Sequence, residues 1–373
     1  MSRSEFTNAK RIVVKIGSSL LTAGGQGLNK PAITAWVEQM TQLKLQGKDI
    51  ILVSSGAVAE GMARLKLKQR PKKLHELQAA AAVGQMGLVR IFENKFQKHA
   101  LHTAQILLTH DDLSDRKRYL NARNTLLALL DFQTIPVINE NDTVATDEIR
   151  FGDNDTLAAL VANLVEADLL IILTDQQGLF DADPSINPEA ILIEQADVND
   201  HLLDEVAGES HSGLGRGGMF TKVSAARLAS RSGTATVIVS GEIEGVISKI
   251  VNGEGLGTYL MPTLAPLVAR KHWLTDQLPL AGTLKLKDEA VNRLRASKNL
   301  LATHVITASG EFKRGDLISC IDTHGKEIAR GLINYNAPET LKIIGLRSQE
   351  FEKILGYADD DALINKNNMV IIK

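Results

Sequence analysis

Three polar side chains, Asp153, Asn154 and Asp155, stand directly before the apolar, helically spaced segment TLAALVANL. One of them can cap the start of that helix, because Asp and Asn side chains accept hydrogen bonds from the unpaired N–H groups of a first turn. The other two have no capping role, and Gly152 lets the chain turn sharply just before them. The pattern indicates either a helix cap alone or a site that binds or orients cations.

Two further loops have the chemistry of anion binding. Lys15 lies inside the apolar segment VVKIGSSLL, where burying an ammonium is unfavourable unless it meets an anion. The alternative for Lys15 is an exposed position on an edge strand. Ser54, Ser55 and Gly56 introduce a helix in SSGAVAEG, and the free N–H groups at a helix start bind anions. A serine that merely caps this helix is the alternative there.

A glycine-rich segment with a nearby lysine is a candidate for phosphate contacts. Gly213, Gly215 and Gly218 match the GxGxxG pattern, but a dinucleotide-binding loop must leave a strand early in a βαβ unit, whereas this one follows the polar VAGESHSG. Because Lys222 follows at the start of a helical pattern, we interpret the segment as a mobile loop that delivers a lysine to phosphates. A surface loop with an incidental lysine is the alternative. The pattern GxxxxGK[ST] does not occur in the sequence.

The segments that carry these loops predict an α/β fold. Short apolar, β-branched segments alternate over about the first 260 residues with longer segments of helical periodicity, such as KPAITAWVEQMTQLKLQG. This alternation predicts a mainly parallel sheet covered by helices on both faces. Ligands of such sheets bind at the carboxyl ends of the strands, where this sequence has GSS, SSGA, NENDT and TDQQG. The predicted strands are RIVVKI, DIILVS, TAQILLT, TIPVINE, DLLIILT and TATVIVS.

The pattern changes at MPTLAPLVARKHWLTDQLPLAG, which contains several prolines and has no clear periodicity. We place a domain boundary there, so that the first domain covers residues 1–262. The remainder predicts a small β-rich domain, because short strand-like segments are separated by glycine turns in HVITASGEF, GDLISCID and KEIARGLINY. Its basic and acidic residues are nearly equal in number, so its charge does not indicate nucleic-acid binding.

Composition is typical of a soluble globular protein. The chain has 373 residues, 44% hydrophobic and 23% charged, and a length that predicts two domains. The net charge of −2 indicates no polyanionic partner. The single cysteine, Cys320, excludes an internal disulfide and a cysteine-rich zinc site. The sequence has no apolar run long enough to span a membrane, and its first strand-like segment begins too early for a signal peptide. We therefore expect a cytoplasmic protein.

His99 and His102 are spaced i, i+3 on a predicted helix and could in principle ligate a metal. The sequence suggests no third ligand nearby. We therefore interpret them as a solvated or partly buried pair.

Seven segments together have the order and spacing of one family: VVKIGSSLL, LVSSGAVAEG, LQAAAAVGQ, PVINENDTV, FGDNDTLAALVA, LTDQQGLFDADP and GGMFTKVSAA. Over about residues 1–260 the sequence resembles the glutamate 5-kinases of the amino acid kinase family. Residues 281–359 resemble the PUA domain that bacterial members carry. The resemblance implies the three-layer amino acid kinase fold around a mainly parallel sheet. It also implies ATP-dependent phosphorylation of the side-chain carboxylate of L-glutamate, the first step of proline biosynthesis.

The resemblance implies roles for single residues. Lys15 and Lys222 would act on the transferring phosphoryl group, and Asp155 would orient both lysines. The residues that would hold glutamate are Ser55, Asp142 and Asn154. The residues that would contact ATP are Lys15, Thr174, Asp175, Arg216, Gly217, Gly218, Met219, Phe220, Thr221 and Lys222. No residue is assigned as a metal ligand, since Mg²⁺ would bridge the phosphates.

This chemistry explains why no histidine-based proton-transfer site is needed. A glutamate side chain, with a reference pKa of about 4.3, is already ionised at neutral pH. The reaction instead needs positioning and cancellation of charge between two anions, which the two lysines and Mg²⁺ would supply. One position departs from the family: Arg216 stands where threonine is expected before GGM, and its guanidinium would either tighten nucleotide binding or point outward.

Two alternative functions remain open on the sequence alone. Another member of the same fold would phosphorylate a different carboxylate, a carbamate or a nucleotide, although SSGA and NENDT together favour free glutamate. The PUA resemblance also suggests an RNA-binding or RNA-modifying protein, but the near-neutral charge of this part argues against tight RNA binding.

The resemblance to glutamate 5-kinases suggests feedback inhibition by proline, a homo-oligomer (dimer or tetramer) and functional coupling to glutamyl phosphate reductase. We expect neither RNA binding by the PUA domain nor a membrane partner.

Overall fold

The computed structural model describes residues 1–22, 27–145, 154–208, 218–263, 279–296, 298–358 and 360–372. The chain divides into two units. Unit 1 comprises Met1–Ser114 and Asn121–Leu267, and unit 2 comprises Asp115–Leu120 and Val268–Lys373.

The strands of unit 1 are β1 Arg11–Ile16, β2 Asp49–Val53, β3 Thr103–Leu108, β4 Ile135–Glu140, β5 Leu169–Thr174, β6 Gln195–Asp197, β7 Ala235–Ser240 and β8 Thr258–Met261. They form one sheet in the order β3-β4-β2-β1-β5-β7-β8-β6. Neighbouring strands are parallel from β3 to β7, whereas β8 runs antiparallel to β7 and parallel to β6. The six predicted strands are confirmed as β1 to β5 and β7. The patterns missed β6 and β8, which have only three and four residues.

The α-helices of the first 263 residues are α1 Ser18–Leu21, α2 Lys30–Leu45, α3 Ala57–Leu65, α4 Leu74–Phe96, α5 His110–Ser114, α6 Arg116–Asp131, α7 Asn154–Val165, α8 Leu202–Gly208, α9 Met219–Ser230 and α10 Val246–Val251. The predicted helix after residue 29 is confirmed as α2. Its start has a physical cause, since the Asn29 side chain accepts from the Ala32 N–H and Pro31 lies in the first turn. No helix among the described residues is long and apolar enough to cross a membrane.

Helices cover both faces of this sheet, as predicted. Successive side chains of a strand point to opposite faces. On one face, Val14 belongs to the core cluster that contains Trp36 of α2 and Phe92 of α4. Lys15 points to the opposite face, where α7 contacts β1 and β5. Lys15 and the residues of the main core are therefore separated by the pleat of β1.

Unit 2 contains a second sheet, formed by β9 Leu280–Leu286, β10 Val305–Gly310, β11 Leu317–Ile321, β12 Glu327–Leu332 and β13 Met369–Ile371. The order is β10-β9-β11-β12-β13, with β9 and β11 parallel and the other neighbours antiparallel. The α-helices described after residue 279 are α11 Asp288–Arg295, α12 Ala337–Ile343 and α13 Phe351–Leu355. The core of this unit includes Tyr335 and Phe351, whose rings meet edge to face at 5.6 Å. The prediction of a β-rich C-terminal part is confirmed.

His99 and His102 do not share a helix, contrary to their predicted spacing. Because α4 ends at Phe96, His99 lies in the 3-10 helix Gln97–His99 and His102 lies just before β3. Both side chains are exposed. Across the described residues, no group of three or more His, Cys, Asp or Glu has the arrangement of a metal site.

Candidate active site

Lys15 is buried in the centre of the sheet. It pairs with Val53 of β2 on one side and with Ile172 of β5 on the other, and it is 5% exposed. The alternative of an exposed edge position is therefore wrong. A buried ammonium needs an anion, and Lys15 Nζ forms an ion pair with Asp155 Oδ1.

Asp155 also receives contacts from α9. Lys222 Nζ lies 3.2 Å from Asp155 Oδ2, and Thr221 Oγ1 lies 3.1 Å from the same oxygen. The Thr221 hydroxyl lies 2.7 Å from the carbonyl oxygen of Gly218 as well, so its single proton has two acceptors. Asp155 is fully buried, and packing of α9 against α7 brings these groups together. One carboxylate thus joins a strand residue to two residues of a distant helix.

The charges of this cluster determine its ionisation. Burial raises the pKa of Asp155, but the ammonium groups of Lys15 and Lys222 outweigh burial, and the pKa lies below its ordinary value. Asp155 is therefore a carboxylate. These three ionised groups carry one net positive charge in a buried setting, which suits an anionic ligand such as a phosphate.

Asn154 has a different set of partners from its neighbour Asp155. Its Nδ2 lies 2.6 Å from the carbonyl oxygen of Ser54, 2.7 Å from Asn139 Oδ1 and 3.4 Å from Ser55 Oγ. These contacts tie the start of α7 to the loop after β2 and to the end of β4. Of the alternatives for residues 153–155, orientation of cations is what Asp155 does. Asp153 lies outside the described residues.

The loop between β2 and α3 does not use a serine as its helix cap. The N-cap residue is Gly56, with φ of 84°, and no side chain caps α3. This left-handed conformation favours glycine. Ser54 and Ser55 are both buried, and Ser55 lies beside Asn154. The N-cap alternative for the serines is therefore wrong.

Asp142 lies in the turn that follows β4 and is partly buried. Gln85 Nε2, on α4, lies 3.4 Å from Asp142 Oδ2. Burial raises the pKa of Asp142 to about 6, while the hydrogen bond from Gln85 and the charge of Arg70 lower it. At neutral pH Asp142 is mostly ionised and can pair with a substrate ammonium.

Sequence reasoning assigned no role to Gln85 or Asn139. Gln85 Oε1 accepts from Asn139 Nδ2 at 3.2 Å, and Gln85 Nε2 lies 3.2 Å from the carbonyl oxygen of Glu140. Both side chains are buried. The signal that points to Gln85 is an amide within the mainly apolar segment AAAAVGQMGLV, and the signal that points to Asn139 is an amide directly after the apolar IPVI.

Thr174 and Asp175 lie at the carboxyl end of β5. The register pairs Ile16 with Leu173, so this end adjoins the end of β1. Thr174 is buried, Asp175 is exposed, and Thr174 Oγ1 donates to Asp175 Oδ1 at 3.1 Å. Within the described part of the chain, no hydrogen bond joins the two side chains to the Asp155 cluster.

The glycine-rich segment is described only from Gly218 onward. Gly218 is the N-cap of α9, Met219 is partly exposed and Phe220 is 55% exposed. Lys222 is 5% exposed, so it is not an incidental surface lysine. The remaining predicted positions of this segment lie outside the described residues, namely Gly213, Gly215, Arg216 and Gly217.

Comparison with known proteins gives matches over both units. The family model described as Amino acid kinase family matches residues 10–240, and that of the PUA domain matches residues 282–355. The chain is 59% identical to the glutamate 5-kinase of Methylococcus capsulatus, with 99% of each chain covered. It is 58% identical to that of Stutzerimonas stutzeri, with 99% of this chain and 100% of that protein covered. Among solved structures, UMP kinase from Ureaplasma parvum aligns at 16% identity and a TM-score of 0.48, covering 68% of this chain and 98% of that one.

Proposed function

Because the chain belongs to the amino acid kinase family, we propose that it transfers the γ-phosphoryl group of ATP to the side-chain carboxylate of L-glutamate. The products are L-glutamyl 5-phosphate and ADP, which leaves as the γ-phosphoryl group is transferred, and the reaction is the first step of proline biosynthesis. One structural observation carries the proposal: two buried lysines from different elements meet at one buried carboxylate, Asp155. This arrangement presents fixed positive charge to an anion.

The proposed roles of the three charged residues follow from the chemistry. The acceptor carboxylate is already ionised at neutral pH, so it attacks without a general base. Two anions must then approach in line, and their repulsion is the main obstacle. Lys15 and Lys222 would neutralise charge on the transferring phosphoryl group, while Asp155 holds both ammonium groups in place.

Mg²⁺ accompanies ATP in this reaction and neutralises charge on its phosphates when bound. The donor chemistry of the site fits a metal carried by the nucleotide. As ammonium groups, Lys15 and Lys222 would bind phosphate oxygens rather than ligate a metal, and both oxygens of Asp155 already meet ammonium groups.

The proposed glutamate site lies beside this cluster. Ser55 and Asn154 would hold the substrate through hydrogen bonds of their uncharged side chains, and Asp142 would pair with its ammonium group. The distances that support this grouping are those from Asn154 to the Ser54–Ser55 loop and to the end of β4. The nucleotide would contact Thr174, Asp175 and residues 216–222.

Trapping of the acyl phosphate tests the substrate assignment. With ATP and Mg²⁺, L-glutamate should yield a hydroxamate when hydroxylamine is present, because an acyl phosphate is a strong acylating agent. Aspartate, N-acetylglutamate and carbamate are the comparison substrates. Hydroxamate from another acid and none from glutamate would show that the acceptor is wrong.

We also propose that residues 1–262 form the catalytic domain and residues 281–359 the PUA domain. Every residue with a proposed chemical role lies before residue 262, and two separate core clusters support the division, one within residues 6–261 and one within residues 281–371. A chain shortened to residues 1–262 should therefore keep its activity. A shortened chain that is folded and inactive would contradict the proposal, because it would place an essential group in the C-terminal part.

The remaining expectations concern partners and location. We propose a homo-oligomeric, cytoplasmic enzyme that proline inhibits and that couples to glutamyl phosphate reductase, as the family resemblance implies. Inhibition by proline is tested by its effect on the KM for glutamate. The near-equal numbers of basic and acidic residues in the C-terminal part support the proposal that it does not bind RNA. Co-elution with RNA at low salt would contradict it.

A further inference from the structure

Two buried amides connect the residues proposed to bind glutamate. Asn154 donates to Asn139, Asn139 donates to Gln85, and Gln85 donates to Asp142. Asn154 in turn contacts the carbonyl oxygen of Ser54. We call Gln85, Asn139 and Asn154 the amide relay. Its three side chains are at most 7% exposed, and they come from α4, β4 and α7.

The direction of the amide relay is set by the main chain. The N–H of Glu140 donates to Asn139 Oδ1 at 2.9 Å, and a main-chain N–H cannot act as an acceptor. The oxygen of Asn139 must therefore face Glu140 and Asn154, which places its NH₂ group against Gln85 Oε1. Gln85 consequently presents its own NH₂ group to Asp142 and to the carbonyl oxygen of Glu140. Flipping Gln85 would place its oxygen against two acceptors.

The position of Gln85 is set by a close crossing of α4 and α3. A Cβ atom on Gly84 would lie 1.8 Å from the carbonyl oxygen of Ala57, and one on Gly61 would lie 1.7 Å from that of Ala80. No side chain fits at either point, so the two helices meet backbone to backbone. Gln85 follows Gly84 directly, and Ala57 is the first residue of α3, immediately after the loop that carries Ser55.

From this arrangement we propose that Gln85 is a positioning residue for glutamate binding, which orients the Asp142 carboxylate and links it through the amide relay to Asn154. The proposal rests on the proposed function, since it assigns Asp142 to the substrate ammonium. Gln85 engages Oδ2 of Asp142, and among the described residues no hydrogen bond engages Oδ1. Oδ1 is thus the oxygen available to the ammonium group. Gln85 itself need not touch the substrate.

Steady-state kinetics of Gln85→Met test this role. Methionine conserves the approximate volume of the side chain and removes both the carbonyl and the NH₂ of the amide. We expect the KM for glutamate to rise roughly tenfold, as for loss of a hydrogen bond to a charged group. The kcat and the KM for ATP should stay within about threefold of wild type. A general loss of structure would instead affect all three parameters.

The pH profile separates orientation of Asp142 from a merely structural effect. The hydrogen bond from Gln85 lowers the pKa of Asp142, and the charge of Arg70, in the segment between α3 and α4, acts in the same direction. Removing the amide should therefore move the acid-side rise in KM for glutamate to higher pH than in wild type. An unchanged profile would overturn the proposal.

A double-mutant cycle provides a second test. If Gln85 acts through Asp142, Gln85→Met should add less than about twofold to the KM of an Asp142→Asn enzyme. Full additivity of the two substitutions would overturn the proposal. If Gln85→Met folds poorly, Gln85→Glu takes its place. A carboxylate facing Asp142 raises the pKa of Asp142, so the acid-side rise in KM for glutamate should again move to higher pH than in wild type, and an unchanged profile would overturn the proposal.

Gln39→Met is the matched control. Gln39 is a buried glutamine of the same unit, and its Oε1 accepts from the N–H of Ile247 at 2.8 Å, in contact with α10 and away from the amide relay. It should leave the KM for glutamate within about twofold of wild type, and an equal rise in both variants would overturn the proposal. A failure of the proposed function appears elsewhere, because wild-type enzyme would then form no hydroxamate from glutamate.

Discussion

The side chains of two neighbouring residues, Asn154 and Asp155, lie in two different environments. Asp155 meets two ammonium groups and a hydroxyl, in what we call the ionic side of the site. Asn154 meets the carbonyl oxygen of Ser54 and the side-chain amide of Asn139. The contacts continue from Asn139 through Gln85 to Asp142, and we call this group of residues the amide side. One peptide bond separates them, yet their partners come from different strands and helices.

The difference indicates how the two sides divide the reaction. Fixed charges in a buried site stabilise charge that develops in the transition state, so groups of the ionic side should act mainly on kcat. Interactions with parts of the substrate that do not react are equally strong before and during the reaction, so groups of the amide side should act mainly on KM. Each prediction below would break or sharpen this division.

The largest effect is expected from loss of a lysine on the ionic side. Lys15→Met or Lys222→Met should lower kcat by roughly 10²-fold or more, with a smaller change in KM, as for loss of a preorganised electrostatic contact. Lys44→Met is the matched control, because Lys44 is a buried lysine that pairs with Asp49 at 3.7 Å outside the site. A near-normal kcat with a raised KM for ATP would assign that lysine to ground-state binding instead.

A smaller loss of kcat is expected for Asp155→Asn. An amide is the same size but cannot neutralise Lys15 and Lys222, so the two ammonium groups would repel and lose their common geometry. We expect kcat to fall by about tenfold or more and the KM for glutamate to change less. Thermal unfolding should be measured in parallel, because two buried ammonium groups would then lack this anion.

An Asp→Asn substitution on the amide side, at Asp142, should change KM more than kcat. Asp142→Asn should raise the KM for glutamate by roughly tenfold, since the substrate ammonium loses a charged partner, and should affect kcat less. Matching kinetic profiles for the two Asp→Asn enzymes would show that the proposed division is wrong.

The pKa of Asp142 also predicts that the KM for glutamate depends on pH. Its pKa is raised to about 6, so the carboxylate is present above that pH and is progressively protonated below it. The wild-type KM for glutamate should therefore rise as the pH falls through about 6. The Asp142→Asn enzyme should lack this rise, and a rise of equal size in both enzymes would assign it to another group.

The smallest effect is expected for Thr221→Val. The Thr221 hydroxyl has two acceptors, Asp155 Oδ2 and the carbonyl oxygen of Gly218, so the contact with Asp155 is only partly occupied. Loss of one such neutral donor should lower kcat by roughly two- to tenfold. Thr221→Ser should restore the rate, because serine keeps the hydroxyl. An unaffected Thr221→Val enzyme would remove Thr221 from the ionic side.

Local patterns in the sequence were sufficient for much of the fold. The six central strands and α2 follow from hydrophobic periodicity, because a strand buried on both faces must be apolar along its length and a helix on one face must repeat its apolar residues. The short strands β6 and β8 and the antiparallel direction of β8 have no such local signature. The helical spacing of His99 and His102 was wrong for a related reason, since the end of α4 at Phe96 is decided by its surroundings.

The sequence by itself determined which chemistry is available: a lysine within an apolar strand, acidic and amide residues at a helix start, and serines after β2. Only the tertiary structure decided which of these groups meet. Lys15 and Lys222 are far apart in the chain and converge because α7 and α9 pack together on the face of the sheet to which Lys15 points. Gln85 acquires its place only through the close crossing of α3 and α4. Hydrogen bonds and ion pairs act over a few ångströms, and distance along the chain does not determine distance in space.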